Sequence, residues 1–260
     1  MEYNYKLTKK IENFLNGAAV EEIGIGYSNS QVLKIVKGEN IYYLKMAPNG
    51  FLKGEYERLS WLSSKVSDLV PQIISFESEN GVEYLLTESL KGEMLCSDYY
   101  LSHPNEGLDI VVDAFKKLYE IDITDCPFNV ALDYKLSLVR SNLDNHLIDE
   151  ANVDSNILKK YGSLEGIYEF LVNNRFHEDL CFSHGDISLP NIFAFDGKLS
   201  GFIDLGDAGI ADRYFDIAIV TRTLIYNYGE EYAEKFYEKM GIDVDRSKID
   251  YYLTMMELYL

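Results

Sequence analysis

A chain of 260 residues with 43 acidic against 24 basic side chains carries a formal charge of −19. That balance argues against a nucleic-acid partner, because a phosphate backbone demands a basic face. No apolar run approaches the ~20 residues of a membrane span, and the opening "MEYNYKLTKK" lacks the apolar region of a secretory leader. Hydrophobic residues at 47% and charged residues at 26% suit a globular chain with a sizeable core, as one large domain or two smaller ones. The three cysteines, Cys96, Cys126 and Cys181, fall in no metal-like spacing. The expectation is a cytoplasmic protein without disulfides, with neither a membrane nor a nucleic acid among its partners. A strongly acidic surface also attracts polycationic ligands.

In chain order, "TKKIENFLNG" reads as a short helix ending at Gly17. Three strand-like runs follow, at 18–27, 31–37 and 40–46, separated by the turns "YSNS" and "KGEN". Turns of Gly, Asn and Ser between β-branched runs predict antiparallel hairpins. "GEYERLSWLSSKV" places Tyr56, Leu59, Trp61 and Leu62 near helical spacing. Two more strands are expected at 72–76 and 82–87. From about residue 93 the pattern turns helical, as in "LDIVVDAFKKLYEI", "LDYKLSLVRSNLDNHL" and "LEGIYEFLVNN". A short β interlude ("DLCFS", "NIFAF", "DGKLSGFIDL") precedes three final helices, and Cys181 lies in it as a buried thiol. The fold class is therefore α+β: an antiparallel-sheet lobe over 1–87 and a mainly helical lobe over 88–260. A cleft between two such lobes is the default ligand site.

The chemistry centres on "HGDISLPN", where Asp186 and Asn191 stand five positions apart. The catalytic loop of kinases has this spacing: the Asp accepts the proton of the attacking hydroxyl and the Asn holds magnesium. Gly185 stands where the protein-kinase form has Arg. Downstream, "GFIDLG" ends a strand in Asp204, the layout of the magnesium-binding Asp of kinases. Otherwise Asp204 would cap a turn before Gly206. Asn191 and Asp204 together offer the oxygen ligands that Mg²⁺ prefers. "IYYLKM" puts Lys45 on the third strand, where a kinase Lys grips the α/β-phosphates and pairs with a helix Glu. Glu55 and Glu57 are the candidates, and two residues apart on a helix they cannot face the same way. Ser28 to Ser30 could donate to phosphates, and "LLTESLKG" sits where a hinge would read adenine. The order of these parts is the order a kinase fold requires. A protein kinase is excluded, since no A-P-E element and no activation loop follow Asp204.

With "YLKM", "IDITDCPF", "FSHGD…NIF", "DGKLSGFIDLG" and "ADRYFDIAIVTR", the chain resembles the aminoglycoside 3'-phosphotransferases, bacterial antibiotic kinases of protein-kinase-like two-lobe fold. The resemblance covers nearly the whole chain. It implies ATP or GTP as co-substrate with Mg²⁺, Asp186 as catalytic base, and Asn191 and Asp204 as metal ligands. It implies Lys45 on the phosphates with Glu55 as partner, since Glu55 keeps the family's spacing to Trp61. Ser28 would lie in the nucleotide loop, Tyr43 would stack on adenine, and Thr87, Glu88 and Ser89 would form the hinge. The acceptor would be a cationic small molecule, touched by Asp186, Asp154, Glu257 and the terminal carboxylate of Leu260. The chain departs from the family pattern at Asp207, where Arg is usual, at Tyr226 and Asn227, and in the ending "MELYL". These departures keep open a kinase of the same fold acting on another small hydroxylated molecule.

Overall fold

The computed structural model describes residues 5–23 and 30–259. In chain order the elements begin with α1 (Lys9–Leu15), β1 (Ala19–Ile23), β2 (Gln31–Lys37), β3 (Asn40–Pro48), α2 (Lys53–Ser63), β4 (Ile73–Glu79), β5 (Val82–Glu88) and β6 (Glu93–Met94). They continue with α3 (Asp98–Ser102), α4 (Pro104–Tyr119), α5 (Leu132–Asp144), α6 (Ser155–Tyr161), α7 (Leu164–Asn173), β7 (Leu180–Ser183), β8 (Ile192–Phe195), β9 (Lys198–Phe202), β10 (Gly209–Asp212), α8 (Arg213–Tyr228), α9 (Glu230–Met240) and α10 (Arg246–Met256). The antiparallel-sheet lobe and the helical lobe are those expected. The compact units, however, are not two contiguous stretches: Phe193–Gly206 groups with the chain up to Glu93, and Met94–Ile192 groups with Asp207 onward. A division at 87/88 assigns 193–206 to the other lobe. Among the described residues no helix is long and apolar enough to cross a membrane.

The first unit is built on an antiparallel sheet of order β1-β2-β3-β5-β4. Its period of two sorts side chains between the faces. Leu33, Ile35, Leu44, Met46, Tyr84 and Leu86 point to one face and pack with Ile11 of α1. Thr8 caps that helix, its hydroxyl accepting from the Ile11 amide at 3.2 Å. On the other face Ala47 and Leu85 pack with Leu52, Tyr56, Ile73 and Phe76. Tyr56 stacks flat on Phe76, with ring centroids 4.4 Å apart. Because Lys45 and Ala47 are two residues apart, Lys45 shares this second face with α2.

The second unit packs helices around α8. Phe215 to Thr221 are all buried, so about two turns of α8 are enclosed on every side. Asp212 caps α8 by accepting from the Tyr214 amide at 3.2 Å. β10, which ends in Asp212, pairs antiparallel with β7, with Gly209 opposite Ser183 and Asp212 opposite Leu180. This pairing carries the strand leading into "HGD" directly to the start of α8. Cys181, on β7, is buried, and burial pushes its thiol well above the usual range.

Candidate active site

Lys45 is fixed by the face it occupies. Its neighbours Leu44 and Met46 are fully buried on the opposite face, while Tyr43 and Lys45 turn toward the α2 side. There Lys45 Nζ lies 2.7 Å from Glu55 Oε1 and 2.9 Å from Asp204 Oδ1. The three side chains are 25%, 12% and 55% exposed, so the Lys–Glu pair is the sheltered part of the cluster. Burial lowers the affinity of Lys45 for its proton, but Glu55 and then Asp204 more than offset this and hold it above its ordinary value. Glu57 instead lies 3.7 Å from Lys53, on the exposed side of α2.

Glu55 reaches Lys45 because the start of α2 is anchored from the sheet. Leu52, at the N-cap, offers no capping side chain. The buried Glu83 of β5 takes that place, accepting from the Leu52 amide at 2.7 Å and the Lys53 amide at 3.0 Å. A carboxylate at a helix N-terminus satisfies orphan N–H groups and opposes the helix dipole. Glu55 sits in the first turn so held. Sequence reading missed Glu83; its only signal is a charged residue in the otherwise buried run Glu83–Leu86.

Asp204 has φ +58, in the left-handed region that non-glycine residues rarely enter. Strain of this kind concentrates where the fold holds a side chain for a task other than stability. Tyr43 pairs in register with Thr87, and Tyr42 with Glu88. The Glu88 amide donates to Gln72 O at 2.9 Å and the Ser89 amide to Ile41 O at 2.8 Å. These two N–H groups are thus engaged in the sheet. Ser28 lies outside the described residues.

The second unit holds Asp186 and Asn191. Asn191 Nδ2 donates to Asp186 Oδ2 and to Asp186 O, both at 2.8 Å, and to Ser188 Oγ at 3.3 Å. The amide nitrogen is committed to the loop, which leaves Asn191 Oδ1 as the group able to ligate a metal. Beneath the loop lies Asp216, fully buried on α8. Its Oδ1 accepts from Ser183 Oγ at 2.9 Å and from the Gly185 amide at 3.1 Å, and its Oδ2 from the His184 amide at 2.8 Å. Burial pushes the Asp216 carboxyl up, while His184 and these donors pull it down. Asp216 thus holds the three residues before Asp186. The sequence signal was an Asp between Phe215 and Ile217 in an apolar helix.

Gly185 has φ +87, and a Cβ there would lie 2.5 Å from Asp207 O. The backbone of Asp207 fills the space a side chain would need, so the Arg of protein kinases has no room at this position. Of the remaining expected residues, Asp154 and Glu257 come together: the Asp154 amide donates to Glu257 Oε2 at 2.7 Å. Asp154 Oδ1 caps α6, accepting from the Asn156 amide at 2.7 Å. Leu260 lies outside the described residues.

A first unit that clusters Lys45, Glu55 and Asp204, and a second unit with an Asp-x₄-Asn loop, carry the residue types of a kinase-like phosphotransferase. Residues 19–250 match the phosphotransferase enzyme family, and the chain belongs to it. Among its relatives is an aminoglycoside 3'-phosphotransferase of Enterococcus faecalis, 35% identical over 90% of this chain and 91% of that protein. Another, from Acinetobacter baumannii, is 30% identical over 97% and 99% of the two chains. The crystal structure of an aminoglycoside-3'-phosphotransferase of type VIII shares the fold with a TM-score of 0.82 at 25% identity, covering 96% of this chain and 97% of the other. The aminoglycoside phosphotransferase of Streptomyces rimosus, solved with ADP and streptomycin, shares the fold at a TM-score of 0.73 and 23% identity, covering 96% and 99%.

Proposed function

We propose that this protein transfers the γ-phosphoryl group of ATP or GTP to a hydroxyl of an aminoglycoside, the 3'-hydroxyl in particular, and so inactivates the drug. The observation that carries this reading is the Lys45–Glu55–Asp204 cluster in a chain 35% identical over nine-tenths of its length to an aminoglycoside 3'-phosphotransferase. In this reading Asp186 orients the acceptor hydroxyl and accepts its proton, and Lys45 neutralises charge on the α/β-phosphates. Glu55 holds the Lys45 ammonium in place. Tyr43 and the segment Thr87, Glu88 and Ser89 flank the base, and Ser28 belongs to the nucleotide loop. Since the Glu88 and Ser89 amides are taken by the sheet, their part in reading the base falls to carbonyl groups. The donor types suit Mg²⁺: the amide oxygen of Asn191 and the exposed carboxylate of Asp204 are each the hard oxygen ligand that ion prefers. When bound, the ion neutralises charge on the transferring phosphates. Acidic groups at Asp154 and Glu257 attract the amines of the drug, and a net charge of −19 favours their approach. The setting is the cytoplasm, where the nucleotide is supplied.

The test is steady-state ADP or GDP release with Mg²⁺ and a panel of aminoglycosides with and without a free 3'-hydroxyl. Turnover confined to drugs bearing that hydroxyl, and lost in Asp186→Asn, is the expected result. Turnover of acceptors without amines, and of none of the drugs, would assign the same machinery to another substrate.

A further inference from the structure

Lys135 is the one buried cation in the second unit, among the described residues, whose charged atom has no hydrogen-bond partner. It lies on the stripe of α5 that also buries Leu132, Leu136 and Val139, and is 1% exposed. Its Nζ stands 3.4 Å from the centroid of the Phe215 ring and 5.1 Å from that of Tyr259. Phe215 directly precedes Asp216. The carboxylates that act on Lys135 are Asp216 first, then Asp207, then Glu178. Asp216 holds the backbone before Asp186, and the backbone of Asp207 packs on Gly185. Glu178 accepts from the Leu132 amide at 2.8 Å and so fixes the first turn of α5. The lysine therefore lies against Phe215, the residue before the carboxylate that holds the "HGD" turn.

A buried ammonium without hydrogen bonds is costly, and only the two rings and the carboxylates enclosed with it offset that cost. Stability does not account for Lys135, whereas its surroundings do. We propose that Lys135 is a positioning residue for phosphoryl transfer: its ammonium balances the Asp216 carboxylate beneath the catalytic loop. Through the Phe215 and Tyr259 rings it also ties that loop to the C-terminal segment. Cation–π contact lets the charge be held by two aromatic faces while its field acts on Asp216. In keeping with this, burial lowers Lys135 to about 8, with Asp216, Asp207 and Glu178 limiting the drop, so the cation is present at neutral pH and lost just above it.

The inference rests on Asp186 acting on the acceptor, so Asp186→Asn is measured beside Lys135→Met and Lys135→Arg in the full chain. Readouts are kcat, KM for nucleotide and drug, the pH profile of kcat, and the denaturation midpoint. Lys135→Met is expected to lower kcat at least tenfold while nucleotide KM stays within twofold, with a denaturation midpoint no higher than wild type because the Asp216 carboxylate loses its counter-charge. Lys135→Arg is expected to keep kcat within threefold at pH 7 and to move the alkaline limb, near pH 8 in wild type, to higher pH. Lys135→Met with kcat within twofold and an unchanged limb overturns the proposal. If Lys135→Met does not fold, an alkaline limb that is the same in Lys135→Arg as in wild type overturns it instead. Full turnover by Asp186→Asn would refute the reading of the loop itself; a dead Asp186→Asn beside an unaffected Lys135→Met would refute this proposal alone.

Discussion

Replacing Asp216 by Asn changes one oxygen into an amino group in a fully buried site. If Asn keeps an oxygen at the Oδ1 position, it still accepts from Ser183 Oγ and the Gly185 amide. The amino group then faces the His184 N–H, which loses its acceptor at 2.8 Å. The opposite rotamer satisfies His184 and orphans Gly185 instead. A hydrogen bond to a charged acceptor contributes about 1.5–3 kcal/mol, and the orphaned buried donor adds to the cost. Burial had pushed the Asp216 carboxyl up, but removing its charge also takes a counter-charge from the buried Lys135 ammonium, so little of this is returned. A net loss of about 3 kcal/mol follows, which is about a hundredfold in a local opening equilibrium. Amide hydrogen exchange at His184 and Gly185 reads that opening directly. Exchange is expected to speed up about a hundredfold at these two amides, with kcat falling by at least the same factor. Asp216→Ala, which abandons all three donors, is expected to cost about 5 kcal/mol or more. Exchange at His184 and Gly185 within threefold of wild type, with kcat unchanged, would refute the idea that Asp216 holds the loop.

Other outcomes follow from the same geometry. Lys45→Met removes the partner of a sheltered carboxylate; it is expected to cost about 1–3 kcal/mol of stability and to raise nucleotide KM at least tenfold by isothermal titration and kinetics. Because the carboxylates hold Lys45 above its ordinary 10.5 in the folded chain, the stability it contributes is complete below pH 10.5 and is lost only as pH rises through the folded value. The destabilisation by Lys45→Met should therefore stay constant between about pH 6 and 9 in urea titrations, and a contribution that faded across that range would contradict the pairing. Gly185→Ala meets Asp207 O at 2.5 Å and must hold φ +87; near-complete loss of turnover is expected with the circular dichroism of the wild type, and a fully active variant would mean that the loop has another conformation.

Much of this protein was legible in its residue order because the signals are short-range. Alternation of apolar and polar residues along β3 set Leu44 and Met46 on one face and Tyr43 and Lys45 on the other, since successive side chains point oppositely. Turn residues at "KGEN" placed the β2–β3 hairpin. The five-residue spacing of Asp186 and Asn191 lets the Asn amide reach the Asp carboxylate within one loop. Strand ends were less well defined: β3 runs two residues beyond Met46 to Pro48, because Ala47 still packs under α2.

What tertiary structure alone decided are the partners supplied from far along the chain. Glu83 caps α2 from 31 residues away, and Asp204 reaches Lys45 from 159 residues away. Phe193–Gly206 joins the first unit although the helical stretch precedes it in sequence. Asp216 and Lys135 read locally as stray charges, and only packing shows that Asp216 accepts from the "HGD" backbone and that Lys135 lies against Phe215. Periodicity and turn chemistry depend on neighbours a few residues apart and can be read from order. A buried carboxylate or ammonium takes its meaning from donors and charges enclosed with it, and the chain brings those together only when it folds.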